Sequence, residues 1–264
     1  MMSRSTVLFA IVAFIMFGVI GGAVWGQSNF GARTPWGDPD LQGLWKHTHG
    51  TPLERPEGVT TATLTDEQAA TRRAERSDRT FRQRQGDPGF YNEFWFEWGK
   101  EDNRTSMIDS PPSGRIPMKP GVREREAKIR AERREQAESP RTWTDMSVYD
   151  RCITRGMPGA MVPGFYNHNY QILQTPEYVV ILVEMIHDAR IIRIGEPNPM
   201  PKSLRPYFGN SWGRWEGDVL VVETTNLSPL QLIRGVPPSE DARVVERFSR
   251  VDEETILYEF TVDD

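Results

Sequence analysis

Acid–base chemistry is the first kind of function that the residue types of this chain indicate. Glu184, His187 and Asp188 lie in one short stretch, and Arg190 follows directly after them. A carboxylate and an imidazole within reach of each other can transfer a proton, as general acid–base catalysis requires. The same residues could instead form a turn whose ion pairs face water. Glu184, His187 and Asp188 are therefore candidate catalytic residues, with both interpretations open.

A second polar set precedes this stretch and is predicted to bind a ligand. It consists of Asn167, His168 and Asn169, to which Arg190 is added from the first set. Because successive side chains of a strand point to opposite faces, Asn167 and Asn169 share one face and His168 lies on the other. Groups that donate, accept or titrate would thus collect on adjacent strands.

Three short strands are predicted to position these groups, at residues 167–173, 178–183 and 191–194. The second is an unbroken apolar run rich in β-branched residues, which is typical of a buried strand. Glu184 directly follows this strand and extends the row of side chains on one of its two faces. A carboxylate among apolar side chains is expected to bind a partner group or to have a shifted pKa. We therefore expect the acidic and imidazole groups to point inward, into a cavity among the strands.

Further strands are predicted at residues 219–225, 243–250 and 255–262, with turn residues between them. Short strands at regular spacing are typical of an antiparallel β-barrel or sandwich. The predicted fold is accordingly mainly β, an antiparallel barrel or sandwich over residues 141–264, with a lipocalin-like barrel as one form of it. The last strand ends at the chain terminus without a closing turn, so we expect the β domain to be truncated there.

The region from residue 27 to 140 is predicted to wrap around this domain with two peripheral helices. The first spans residues 63–85, where Thr65 and Gln68 form a capping box. The second, at residues 122–138, is almost wholly charged and would be stabilised by its own i,i+4 pairs.

An aromatic segment at residues 90–98, FYNEFWFEW, lies between the two helices. A monomer rarely exposes so large an apolar patch. The segment either plugs one end of the core or lines the mouth of a ligand pocket. In the second case Tyr91, Phe94 and Trp95 would contact the ligand.

The first 26 residues have the pattern of a targeting segment. Arg4 precedes an uncharged run from Val7 to Trp25, after which small and polar residues follow. The run suits a cleaved signal peptide, and it is also long enough for an uncleaved transmembrane anchor. Under either interpretation the rest of the chain is expected to be exported, to the periplasm or to the medium. A membrane contact is expected only through residues 7–25, if they stay attached.

Several function classes are disfavoured by composition and motifs. The net charge of −5 argues against nucleic acid as a partner, since phosphate binding needs a basic surface. The chain has no Walker loop, H-E-x-x-H, C-x-x-C or dinucleotide fingerprint, so no cofactor is expected. Residues 209–213 match G-x-S-x-G without the strand–turn–helix context that a nucleophilic Ser211 needs. His47 and His49 have a spacing known for metal ligands, but surface histidines are the simpler interpretation, and no metal is expected.

Several longer segments resemble a large group of exported bacterial proteins of unknown function. They are GDPDLQGLW, YNEFWFEWG, RCITRGMPG, YNHNYQILQTPEYVVILVEMIHDARIIRI, WGRWEGDVLVVETTNL and RVVERFSRVDEETILYEFTV. The resemblance implies no established activity and therefore assigns no catalytic role. It does imply a further segment beyond the last strand, with a cysteine that would pair with Cys152.

Three functions remain open from the sequence. The leading one is an exported module that binds a small apolar or amphipathic ligand in the mouth of the barrel. The second is a lyase, isomerase or hydrolase that uses a carboxylate–histidine pair. The third is a structural subunit of an envelope complex, held by the N-terminal segment.

Overall fold

The computed structural model describes residues 31–47, 50–81, 93–97, 102–164, 166–233 and 237–264. The predicted targeting segment, His49 and Tyr91 lie outside the described residues. Within them the helices are α1 (Asp66–Phe81) and α2 (Val122–Glu138). The strands are β1 (Gly43–Lys46), β2 (Asn169–Gln174), β3 (Tyr178–Val183), β4 (Ala189–Ile194), β5 (Asn210–Glu216), β6 (Val219–Thr225), β7 (Arg243–Arg250) and β8 (Ile256–Asp263).

The eight strands form one sheet in which their spatial order equals their order along the chain. Neighbouring strands are antiparallel except β4 and β5, which pair in parallel through Ile192–Ser211 and Ile194–Gly213. A parallel pair needs a long connection, because the chain must return to the end where it started. Residues 195–209 supply that connection, and their prolines keep regular structure out of it.

The sheet curls into a half-barrel. Eight flat strands would place the two edge strands about 34 Å apart, since neighbouring strands are about 4.8 Å apart. In the structure the ring centroids of His47, which follows β1, and Tyr258 of β8 are 6.2 Å apart. The guanidinium of Arg250 likewise lies 5.2 Å from the ring of Trp45. The mainly β fold is thus confirmed.

The core fills the concave side of this half-barrel. On β3 the buried residues alternate with exposed ones, as on a strand with one face turned to a core. The buried apolar set includes Leu41, Met157, Tyr170, Ile172, Val179, Ile181, Val183, Ile192, Leu220, Val222, Leu227, Val244 and Phe248. The loop before β2 therefore packs into the core together with the strands.

The two helices lie in the predicted region. At α1 the capping box is present, since Gln68 N donates to Thr65 Oγ1 at 3.2 Å and Thr65 N donates to Gln68 Oε1 at 3.0 Å. On α2 two i,i+4 ion pairs form, Lys128–Glu132 and Arg130–Glu126. A helix with the length and apolar content for a membrane crossing does not occur among the described residues.

Candidate functional site

Glu184 lies at the end of β3 on the outer face of the sheet. Its Oε2 atom accepts hydrogen bonds from Asn169 Nδ2 at 2.7 Å and from Asn169 N at 3.3 Å. The inner face of β3 is formed by Val179, Ile181 and Val183 instead. The expectation that Glu184 points into a cavity is therefore wrong, because strand alternation puts it with the exposed row.

The turn between β3 and β4 carries His187 and Asp188. Ile186 and His187 have φ angles of 71° and 50°, and the His187 side chain is exposed. The expected inward direction is thus wrong for His187 as well. Asp188 is partly buried, and this burial raises the pKa of its carboxyl, while a hydrogen bond with the Thr154 side chain acts in the opposite direction.

Arg190 points into the half-barrel and is paired there with Glu246. Their exposed fractions are 1% and 0%. Arg190 Nη1 donates to Glu246 Oε1 at 2.8 Å, and Nη2 donates both to Glu246 Oε2 and, at 2.9 Å, to Thr224 Oγ1. Tyr258 adds a hydrogen bond of 2.9 Å to Glu246 Oε1. Because the buried charges are mutually satisfied, we interpret this cluster as structural.

Ser211 belongs to the same cluster. It lies on β5 and is buried, with its Oγ atom 2.8 Å from Thr224 Oγ1 and 3.4 Å from Arg190 Nε. The residue therefore sits in a strand interior rather than at a strand–helix turn, which a nucleophile elbow requires.

His168 is buried at the entry to β2, where its exposed fraction is 3%. Burial, followed by the charge of Arg155, lowers the pKa of His168 to about 4. Arg155 Nη1 lies 3.1 Å from His168 Nε2. Nη1 also lies 3.5 Å from His168 Nδ1, and because a guanidinium can only donate, the neutral ring is the acceptor in this contact. Gly164 makes room for this ring, since a Cβ there would lie 2.0 Å from Nε2.

The other predicted ligand-binding residues are at the surface or outside the described residues. Asn167 is exposed, and its backbone N donates to Glu97 Oε1 at 3.1 Å. Phe94 and Trp95 are 86% and 54% exposed and contact each other edge to face. Tyr91 is not among the described residues. A ligand role for this aromatic segment stays a prediction.

A cleft of about 310 Å³ lies between α2, the loop that leads into β2, and residues 230–232. Val148, Leu230 and Leu232 supply apolar walls. Arg133, Arg155 and Gln231 supply polar groups. Convergent polar groups in a mainly apolar concavity are typical of a small-molecule site.

Three residues that line the cleft contact either a predicted site residue or Met185, which lies beside Glu184. Arg155 contacts His168, Thr154 is hydrogen-bonded with Asp188, and Tyr149 OH lies 3.9 Å from Met185 Sδ. Two of the predicted residues, His168 and Asp188, therefore lie directly behind the cleft wall. Glu184 and His187 are not among the lining residues.

Gln231 is the most unusual residue of the cleft because half of its side-chain amide is unsatisfied. The residue is 1% exposed, and its Oε1 atom accepts a hydrogen bond of 2.7 Å from Met157 N. That bond fixes the orientation of the amide, so Nε2 is the free end. Nε2 is buried and has no hydrogen-bond partner in the described part of the chain. A buried donor without a partner costs about 1–3 kcal/mol.

Metal binding finds no support in the described ranges, where no group of three or more histidine, cysteine or acidic side chains could hold an ion. No family model, curated protein or solved structure matches the chain. What the site can do must therefore be argued from its own groups: guanidinium and amide donors, a phenol, and apolar walls.

Sequence reasoning missed Arg155, Gln231 and Gly159 as residues of a site. The Gly- and Pro-rich loop at residues 151–164 was expected only to lead into the strands. A sequence signal did exist for Gln231, which stands between Leu230 and Leu232. A polar residue between two leucines is expected to be buried together with them, and a buried polar group needs a specific hydrogen-bond partner.

Proposed function

We propose that this protein binds a small amphipathic molecule in the cleft beside the loop that leads into β2. The observation that carries the proposal is the Gln231 Nε2 donor, which is buried at the cleft without a partner among the described residues. A ligand acceptor would satisfy this donor and remove its desolvation cost. The cleft volume of about 310 Å³ lies at the lower end of the range for small-molecule sites.

The apolar walls account for the amphipathic character of the ligand. Leu230 is 55% exposed beside the cleft, and Val148 and Leu232 line it. An apolar ligand group that covers these side chains would gain roughly 25 cal/mol for each Å² removed from water. The polar end of the ligand would then face Gln231 and the two arginines.

Filling the cleft tests this proposal. Gly159 lines the cleft, and a Cβ built on it meets no heavy atom within 4 Å. Gly159→Leu should therefore fill the site without straining the fold. Gly31→Leu is the matched control, because a Cβ at Gly31 also meets open space and Gly31 does not line the cleft.

Native mass spectrometry of the full chain gives the readout. We expect a bound mass in the wild type and in Gly31→Leu that is lost in Gly159→Leu. Retention of that mass in Gly159→Leu, or its absence from the wild type, would contradict the proposal. We propose in addition that the chain is exported through residues 1–26, and the intact mass from the exported fraction shows whether this segment is removed.

Proton-transfer catalysis by Glu184, His187 and Asp188 is the rival function. Glu184 and His187 are exposed, Asp188 is partly buried, and none of the three lines the cleft. Under the binding proposal, Glu184→Gln and His187→Ala should retain the bound mass as the wild type does. Turnover of the bound molecule that either variant abolishes would favour the enzyme instead.

A further inference from the structure

We infer that the ligand of this cleft is an amphipathic carboxylate, whose anionic group binds Arg155 and Arg133. The inference rests on the proposed function and narrows it to one chemical class. It follows from the charge of the lining residues, from the way Arg155 is held, and from the free donor of Gln231.

The charged residues that line the cleft are both arginines, in a chain that is negative as a whole. Arg133 and Arg155 line the cleft, no lining residue is acidic, and the whole chain carries a net charge of −5. Neither arginine forms an ion pair with a carboxylate within the described ranges. A site that collects unpaired guanidinium groups attracts an anion and disfavours a cation.

Two acidic side chains lie next to the cleft, and both are bonded to hydroxyl groups rather than to an arginine. Ser147 Oγ donates to Asp150 Oδ2 at 2.6 Å, and Asp188 is hydrogen-bonded with Thr154. These hydrogen bonds leave the guanidinium groups of the cleft available for an external carboxylate. The fork of an arginine matches the two oxygens of such a group.

Arg155 is already held in place before any ligand binds. Its Nη1 atom is directed at the neutral His168 ring, 3.1 Å from Nε2, and its guanidinium carbon lies 5.7 Å from the centroid of the Tyr149 ring. His168 therefore orients the guanidinium without neutralising its charge. Ordering this side chain in advance reduces the entropy that a ligand would lose on binding.

Gln231 supplies the second element of an anion site. Its Nε2 atom is a donor, so it can bind a carboxylate oxygen and cannot bind an ammonium group. Its own carbonyl oxygen is occupied by Met157 N. Gln231 lines the cleft beside the two arginines, so a ligand group that reaches its buried Nε2 must be an acceptor, as it must be at the guanidinium groups.

Three probes of equal chain length test the inference: octanoate, octanol and octylammonium, each titrated calorimetrically into the full-length wild-type protein. Charge-assisted hydrogen bonds are the stronger kind, so octanoate should bind at least about tenfold more tightly than octanol. Octylammonium should bind most weakly. Equal affinity for octanoate and octanol, or a preference for octylammonium, would contradict the inference that the ligand is a carboxylate. The proposed binding of a small amphipathic molecule would still stand.

Variants assign the effect to the two arginines. Arg133 lies on the half-buried side of α2. The Arg133→Gln variant should bind octanoate about threefold or more weakly than the wild type at low salt, and its affinity for octanol should be unchanged. Arg134→Gln is the matched control, because Arg134 is the exposed neighbour on α2 and does not line the cleft. Unchanged octanoate affinity in Arg133→Gln would count against this half of the inference.

Arg155→Met should abolish the preference for octanoate over octanol, whereas Arg155→Lys should keep part of it. If Arg155→Met fails to fold, Arg133→Gln and the probe series still decide the question. If the wild type binds none of the three probes and Gly159→Leu changes no bound mass, the proposed function itself is lost.

Discussion

The Nη1 atom of Arg155 lies 3.1 Å from Nε2 of His168, so a fixed positive charge faces a buried imidazole. Burial, followed by the charge of Arg155, lowers the pKa of His168, so the imidazole is neutral at pH 7. Protonation would place two positive charges side by side in a poorly solvated position. The imidazole instead accepts a hydrogen bond and holds the guanidinium at the cleft.

The stability of the protein should therefore depend on His168 at acidic pH. The pKa of His168 falls from 6.5 to about 4 on folding, so the unfolded chain takes up the proton first as the pH drops. The free energy of unfolding should decrease from about pH 6.5 to about pH 4, by about 3 kcal/mol in all. Above pH 6.5 this contribution is fully present.

Urea unfolding at pH 7 and at pH 4.5 measures this effect. In His168→Gln the loss of stability between the two pH values should be smaller than in the wild type. His187→Ala, which removes an exposed histidine, should behave as the wild type does. An identical loss in His168→Gln and the wild type would mean that the buried imidazole does not control the acid response.

Breaking the buried pair of Arg190 and Glu246 should be costly. Both side chains are almost fully buried, so either single variant, Arg190→Met or Glu246→Leu, leaves the charge of the other residue uncompensated. We expect a loss of about 3–5 kcal/mol for a broken buried pair. The double variant Arg190→Met/Glu246→Leu should recover part of that loss, since it removes both charges.

Arg193→Met is the control for this cycle, because Arg193 lies on the same strand with its side chain exposed. Its effect in urea unfolding should stay below about 1 kcal/mol. Additive losses in the double variant would show that the two side chains do not stabilise each other.

The contact of Gly156 with Gln231 should be sensitive to a single methyl group. A Cβ on Gly156 would lie 2.1 Å from Gln231 Oε1, and the residue has a φ of +67°. Gly156→Ala must therefore displace the amide that binds Met157 N. The cost should be about 1–2 kcal/mol for the backbone conformation, with a further loss from the clash.

Gly217→Ala separates the two contributions. Gly217 has a similar φ of +62°, yet a Cβ there meets nothing within 4 Å. In thermal unfolding, Gly156→Ala should lower the midpoint more than Gly217→Ala does. Equal shifts would indicate that Gln231 moves freely and that its position at the cleft is not fixed.

Local patterns predicted most of the strands and both helices. Residues 178–183 and 219–225 are strands with the predicted bounds, because each is a β-branched run with turn residues at its ends. The strand β5 was missed, since Gly209, Gly213 and two tryptophans obscure its alternation. The predicted inward direction of the Glu184 side chain was wrong, because alternation along a strand defines two faces and does not show which of them is buried.

The sequence by itself determined most of the strands and the N-terminal cap of α1, since these depend on neighbours a few residues apart. The curl of the sheet, the parallel pair of β4 and β5, and the partnership of Arg190 with Glu246 were decided only by the tertiary structure. So was the cleft, which brings Arg155 together with Gln231. The physical reason is that these contacts join residues far apart in the chain, and only the packing of the whole sheet selects which of them meet.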